Sequence, residues 1–283
     1  MTRTRLALLG SVAALLLLRR RRDEERRTAE RMAAAALEAL LNAIEANDHA
    51  TGEHLRRTAA YALVLARAAG LDTRAQHSVE RVALFHDIGK LHAAVADIVH
   101  EPTSLSPEER QLIATHPARG AEVMRPLQPF YPELPDGILS HHERWDGTGY
   151  PRRLSGTHIS LTARIVAIAD SFDAITHQRR YRPAASLRTA LEAIAHGRGT
   201  QFDPYLVDLF LSVPVRRAVR RTMRESYRAP EPARPKRRGG QVEESIVPDI
   251  MFRWRPAAPA PSAQGRPRRT RRGSPPRRSP PTQ

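Results

Sequence analysis

The chain has 283 residues, enough for one or two domains with a proper core, and carries a formal net charge of +16 with a pI near 11.3. It has no cysteine, which excludes disulfides, thiolate-bound zinc and thiol catalysis. Residues 1–31 hold 9 Arg against 4 acids, residues 214–283 hold 19 basic against 5 acidic residues, and residues 32–213 hold 18 basic against 21 acidic ones, so the basic character belongs to the two ends.

The first 22 residues form a short apolar segment. Its run from Leu6 to Leu18 would span ~20 Å as a helix, against a ~30 Å hydrocarbon core. Four arginines follow it in place of a small-residue cleavage site. It is read as a short membrane anchor that leaves the main domain on the cytoplasmic, inner face; an apolar helix packed on protein is the alternative. Residues 23–47 read as an amphipathic linker helix, with Leu37, Leu40, Leu41 and Ile44 at i, i+3, i+4 and i+7. Such a helix could lead into the domain or pair with a second copy in a homodimer.

From 48 to 213 helical periodicity dominates, and no alternating strand pattern stands out. Helices are expected at 53–69, 74–87, 107–113, 117–125, 135–143, 161–176, 186–196 and 204–213, so the fold class expected is all-α. From 214 the chain is strongly basic, and after about 228 it is rich in Pro and Arg. Such a segment buries too little apolar surface to offset its ordering entropy and is read as a mostly disordered tail. "IVPDIMFRWR" (246–255) is a small apolar island within it. The basic ends could contact an anionic membrane or, non-specifically, nucleic acid.

All 12 histidines fall in the acidic middle. In "ALFHDIGKLH" (83–92) His86 and Asp87 are adjacent after an apolar stretch, and neutral imidazole with carboxylate suits Fe, Mn or Zn. His54 opens a helix with an apolar face, His116 stands directly before Pro117, and His141 and His142 come at the end of an expected helix. Asp170 lies in "ARIVAIADSFDAI" (163–175), apolar nearly all round and therefore buried, where a bare carboxylate needs a cation or several donors. Asp173 shares its face. Each residue alone has a bland reading as a hydrogen-bonded core group; seven together favour a metal centre. Lys90, one of only two lysines beside 44 arginines, is a compact ammonium suited to approach a phosphate.

The order H…HD…H…HH…D, with "HDIGK", "HP" and "HHERWDGTGYP", resembles the HD-GYP family of HD-superfamily phosphohydrolases over roughly 48–213. "FDAIT" (172–176) and "GTQFDP" (199–204) fit that family's later blocks. The resemblance implies a helical bundle and two divalent ions, Fe or Mn. One ion would be held by His54, His86, Asp87 and Asp170, the other by His116, His141 and His142 with Asp87 shared. It implies hydrolysis of cyclic di-GMP to pGpG and onward, in some members, to GMP. Lys90 and Asp173 would be catalytic, with Lys90, Arg179 and Arg182 on substrate phosphate and Gly149, Tyr150 and Pro151 as the GYP motif. A diguanylate cyclase or another signalling protein is an implied partner. Ala50 stands where some members carry a third-metal Glu, so two ions are expected and not three. Arg182, Arg180, Ser160 and Glu101 also depart from the usual pattern. The alternatives are an HD phosphohydrolase acting on another nucleotide, and a non-catalytic nucleotide- or protein-binding module.

Overall fold

The computed structural model describes residues 2–91, 106–177 and 184–226, with side chains from residue 16 to residue 225. All of these fall in the first of two units, Met1–Arg228; the second, Ala229–Gln283, lies outside the described residues. So do Arg179, Arg180, Arg182, Glu101 and the island at 246–255. The described residues are helical and contain no strand, only an isolated bridge between Arg198 and Phe202. The all-α expectation holds.

In chain order the helices are α1 (Thr2–Asn47), α2 (His49–Ala68), α3 (Thr73–Phe85), α4 (Pro107–Ile113), α5 (His116–Met124), α6 (Leu134–Ser140), α7 (Leu161–Thr176), α8 (Leu187–His196), α9 (Pro204–Leu211) and α10 (Val213–Ser226). Short 3-10 turns cover Ile88–Leu91, Arg125–Leu127 and Gly156–His158. Local chemistry explains the boundaries. Asp48 ends α1 and caps α2 by accepting from the backbone N–H groups of Ala50 and Thr51 at 3.0 and 3.3 Å. Ser106 and Glu109 form a reciprocal capping box at the start of α4. Asp203 caps α9, with Pro204 at its first position.

The amphipathic stripe of α1 is used within the chain. Ala33, Leu37, Leu41 and Ile44 are buried, Leu40 is half-buried, and α1 packs on α2. A Glu45–Arg56 ion pair ties the two helices together. Near the other end of α1, Leu16, Leu17 and Leu18 are exposed. Among the described residues no helix is long and apolar enough to cross a membrane.

Helices α2, α3 and α7 form the centre of the bundle. Phe172 of α7 lies between Tyr61 of α2 and Phe210 of α9, at ring-centroid distances of 5.0 and 5.2 Å, both edge-to-face. Burying each such ring contributes about 1.5–3 kcal/mol, and this cluster locks α7, with Asp170 and Asp173, against α2, with His54. The helix α10 lies in the stretch expected to be tail. Val215 and Val219 are buried as α10 packs on α2, while Arg216, Arg217, Arg220, Arg221 and Arg224 are exposed. The charge of this stretch hid a two-valine apolar seam.

Candidate metal centre

Five elements bring the candidate residues together. His54 comes from the first turns of α2, and His86 and Asp87 follow the end of α3 directly. His116 opens α5, His141 and His142 sit in the turn after α6, and Asp170 comes from α7. Helix α6 stops at Ser140, three residues earlier than the periodicity suggests. The reason lies in the following loop. Buried Glu143 accepts from the backbone N–H groups of Arg152 and Leu154, at 2.6 and 3.0 Å, and this draws the chain out of the helix.

Asp87 lies between two histidine groups. Its Oδ1 is 3.2 Å from Nε2 of His116 and 4.0 Å from Nε2 of His141. Its Oδ2 is 3.4 Å from Nε2 of His86 and 3.8 Å from Nε2 of His54. Oδ1 of Asp170 closes the second group, 3.4 Å from Nε2 of His54 and 3.8 Å from Nε2 of His86. Two sets of potential ligand atoms result, Asp87/His116/His141/His142 and His54/His86/Asp170, each within 4.8 Å of one another.

The rings are held with Nε2 inward. Nδ1 of His86 meets the carbonyl of Ala83 at 2.8 Å, Nδ1 of His116 that of Ile113 at 2.7 Å, and Nδ1 of His141 that of Ile138 at 2.6 Å. A carbonyl can only accept, so each Nδ1 carries the proton and each Nε2 offers a lone pair. His54 differs: its Nδ1 meets Oδ2 of Asp173 at 2.7 Å. His142 is fixed by stacking on Tyr150, with ring centroids 4.9 Å apart and planes 24° from parallel.

This arrangement fits divalent ions. Nε2 of His54, Nε2 of His86 and Oδ1 of Asp87 are buried and have no hydrogen-bond partner. Buried polar atoms left so are costly; the two nitrogens face the group closed by Asp170, and the Asp87 oxygen faces the His116 group. Burial pushes the Asp87 carboxyl up, but Lys90, His86 and His116 hold it well below the usual carboxylate range. Burial and the rings of His142, His86 and His116 hold His141 well below the ordinary imidazole value. Burial, then His116, pushes His142 down to about 4. Neutral imidazoles beside ionised carboxylates are the donor set that Fe, Mn or Zn takes. For His86, burial is outweighed by Asp87 and Asp170, which draw it up; the paired carboxylates call for positive charge.

Nζ of Lys90 lies 2.7 Å from Oδ2 of Asp87, at the partly open side of the cluster. Asp173 does not face the cluster. It is buried behind His54, where His177, His54 and Arg57 outweigh burial and hold it far below the usual carboxylate range. The GYP turn has a steric logic of its own. A Cβ on Gly149 would lie 2.4 Å from the Arg144 nitrogen and 2.6 Å from Cα of Glu143, so only glycine lets the loop close and bring Tyr150 onto His142. Sequence reasoning missed Arg57, Glu143 and His177. The partner of Arg57 lies 116 residues away and those of Glu143 lie 9 and 11 residues on, while His177 stands at i+4 from Asp173, a spacing that could have found it.

A family model described as HD domain matches residues 38–206. The chain is 36% identical over 174 residues to "3'3'-cGAMP-specific phosphodiesterase 2" of Vibrio cholerae, covering 61% of this chain and 33% of that protein. It is 38% identical over 177 residues to "Cyclic di-GMP phosphodiesterase response regulator RpfG" of Xanthomonas campestris, covering 62% and 46%. The chain thus spans between a third and about half of these curated relatives. Among solved structures, Bd1817 of Bdellovibrio bacteriovorus, described as a HDG"Y"P protein, matches with a TM-score of 0.48 and 20% identity, over 64% of this chain and 61% of that one. The family model covers more than half of the chain, and the HDIGK and GYP motifs meet around one buried cluster; the chain belongs to the HD-domain family.

Proposed function

We propose that this protein is a metal-dependent phosphodiesterase of cyclic dinucleotides, with cyclic di-GMP the leading substrate and pGpG, then GMP, as products. The observation that carries this reading is Asp87, whose two oxygens face different histidine groups at 3.2 and 3.4 Å, as a carboxylate shared by two ions would. His54, His86 and Asp170 would hold one ion, and His116, His141 and His142 the other. Bound there, a pair of divalent ions, Fe or Mn, would activate water at neutral pH and offset charge on the phosphoryl oxygens.

The chain's own residues supply the rest. Lys90 sets an ammonium beside Asp87, where it can meet a non-bridging phosphate oxygen. Arg179 and Arg182 are proposed to grip substrate phosphate. Tyr150 holds the His142 ring by its stack. For Asp173 we favour orientation of His54 over proton transfer, because a carboxylate that accepts from His54, Arg57 and His177 has no free lone pair aimed at the reaction. The relatives named for cyclic di-GMP and for 3'3'-cGAMP are similarly distant, so both substrates belong in the test. The domain is proposed to work at residues 48–213, on the cytoplasmic side. Contacts of the basic ends with anionic lipid or nucleic acid, a homodimer and a diguanylate cyclase partner remain further proposals.

The test is turnover of cyclic di-GMP and 3'3'-cGAMP by protein loaded with Fe(II) or Mn(II), followed by product chromatography. Linear dinucleotide should form, and His86→Ala with Asp87→Ala should abolish it. Full turnover by that double variant or by metal-free protein sinks the reading. Binding of nucleotide without hydrolysis at full metal occupancy would favour the non-catalytic module.

A further inference from the structure

Three of the histidines that face the cluster, His86, His116 and His141, are oriented by a carbonyl three residues earlier in their own segment. Local backbone geometry fixes those rings. His54 takes its orientation from another helix, through Asp173, 119 residues away in sequence. Its ring is therefore only as well placed as Asp173 is.

Asp173 is held from three sides. Its Oδ1 accepts from Nε of Arg57 at 2.8 Å and lies 2.9 Å from Nδ1 of His177. Its Oδ2 takes His54 at 2.7 Å and Nη2 of Arg57 at 3.2 Å. The Arg57 fork thus spans both oxygens and fixes the plane of the carboxylate, which a single point charge would not do. Arg57 follows His54 by three residues on α2, hence on the same face, and its side chain is largely buried. Oγ1 of Thr58 lies 3.4 Å from Nδ1 of His54, a second partner to which the ring could turn.

We propose that Arg57 is a positioning residue for the metal centre, its guanidinium clamping Asp173 so that Asp173 holds Nδ1–H of His54 and aims Nε2 at Asp170 and Asp87. This rests on the reading of His54, His86 and Asp170 as a metal-binding group. His177 braces the same carboxylate from within α7's last turn and its C-terminal edge. Arg57 is not among the potential ligand groups, so its loss acts on ion affinity through one ring.

The experiment is Mn(II) titration of the metal-stripped full chain, with ion content read by elemental analysis. The His54 tautomer in the stripped protein is read by long-range 1H–15N correlation of the histidine rings. The variants are Arg57→Met, Arg57→Lys and, as control, Glu53→Gln, which alters only exposed ion pairs, those of Glu53 with Arg57 and with His49. Arg57→Met should weaken the more sensitive Mn(II) step roughly 10- to 100-fold, the usual cost of losing a group that orients a ligand. It should also let His54 leave the Nδ1–H form. Arg57→Lys, which keeps charge and bulk and so guards against a misfolded Met variant, should weaken that step by a smaller factor. Glu53→Gln should bind as the parent does. Parental Mn(II) affinity in either Arg57 variant overturns the inference, as does an unchanged His54 tautomer in Arg57→Met. A parent that binds no Mn(II), Fe(II) or Zn(II) overturns the metal reading itself, and the two failures are told apart by the parent's own titration.

Discussion

Tyr150 lies over the His142 ring, with centroids 4.9 Å apart and planes 24° from parallel, so the middle residue of the GYP motif rests on a candidate ligand. An offset aromatic pair of this kind is worth about 0.5–1.5 kcal/mol beyond its buried area. Tyr150→Phe keeps the stack and should bind Mn(II) as the parent does. Tyr150→Ala should weaken binding at the His116/His141/His142 group by roughly 2- to 10-fold, read by Mn(II) titration.

Lys90 should affect turnover more than ion binding. Its ammonium is the one basic side chain within 4 Å of Asp87 besides the histidines, among the described residues. Lys90→Met should lower kcat by roughly 100-fold with metal content unchanged, as loss of one charged donor to a developing oxyanion does. Lys90→Arg should recover only part of this, because a planar fork is larger than the space an ammonium fills. Single-turnover kinetics on metal-saturated protein check both.

Gly89 in HDIGK should prove structural. A Cβ there would lie 2.0 Å from the His116 carbonyl oxygen and 2.7 Å from the Gly120 nitrogen, both backbone atoms that cannot swing aside. Gly89→Ala should cost about 3 kcal/mol of stability or more, since the turn after Asp87 must move off α5. Urea unfolding of the metal-stripped protein gives the number without interference from ion binding.

Glu133 offers a pH test away from the cluster. It accepts from Ser78 and, at 2.9 Å, from Nη2 of Arg81, and these bonds outweigh burial to lower its pKa. A carboxyl whose folded pKa is depressed contributes stability above its unfolded value, about 4.3, and loses it as pH falls through the folded value. Glu133→Gln should therefore cost about 1 kcal/mol at pH 7, and the gap from the parent should close as pH falls below about 4. Thermal or urea unfolding across that range measures it.

Much of this molecule is legible in the sequence where the signal is local. The bounds of α4 and α7 follow from periodicity and from the Ser106 box, and the histidine–aspartate set follows from motif order. What sequence reading misses depends on contacts between distant segments. Nothing near Arg57 indicates that it grips Asp173, 116 residues away, whereas His177 stands four residues after Asp173, an i,i+4 spacing that the sequence does display. Glu143 ends α6 early through N–H groups 9 and 11 residues later. Helix α10 was hidden because arginine content outweighs two valines in any local measure of hydropathy, although those valines meet a waiting surface on α2.

The carbonyls that fix the rings have a second significance. Ala83, Ile113 and Ile138 lie in the last turns of α3, α4 and α6, where backbone oxygens have run out of helical N–H partners. The imidazoles of His86, His116 and His141 finish those helices. Replacing any of them by alanine removes a donor to an ion and also unties a helix end. A loss of activity in such a variant would thus mix chemistry with fraying. A substitution that keeps an N–H at the Nδ1 position, such as His→Asn, is the cleaner probe of ligation.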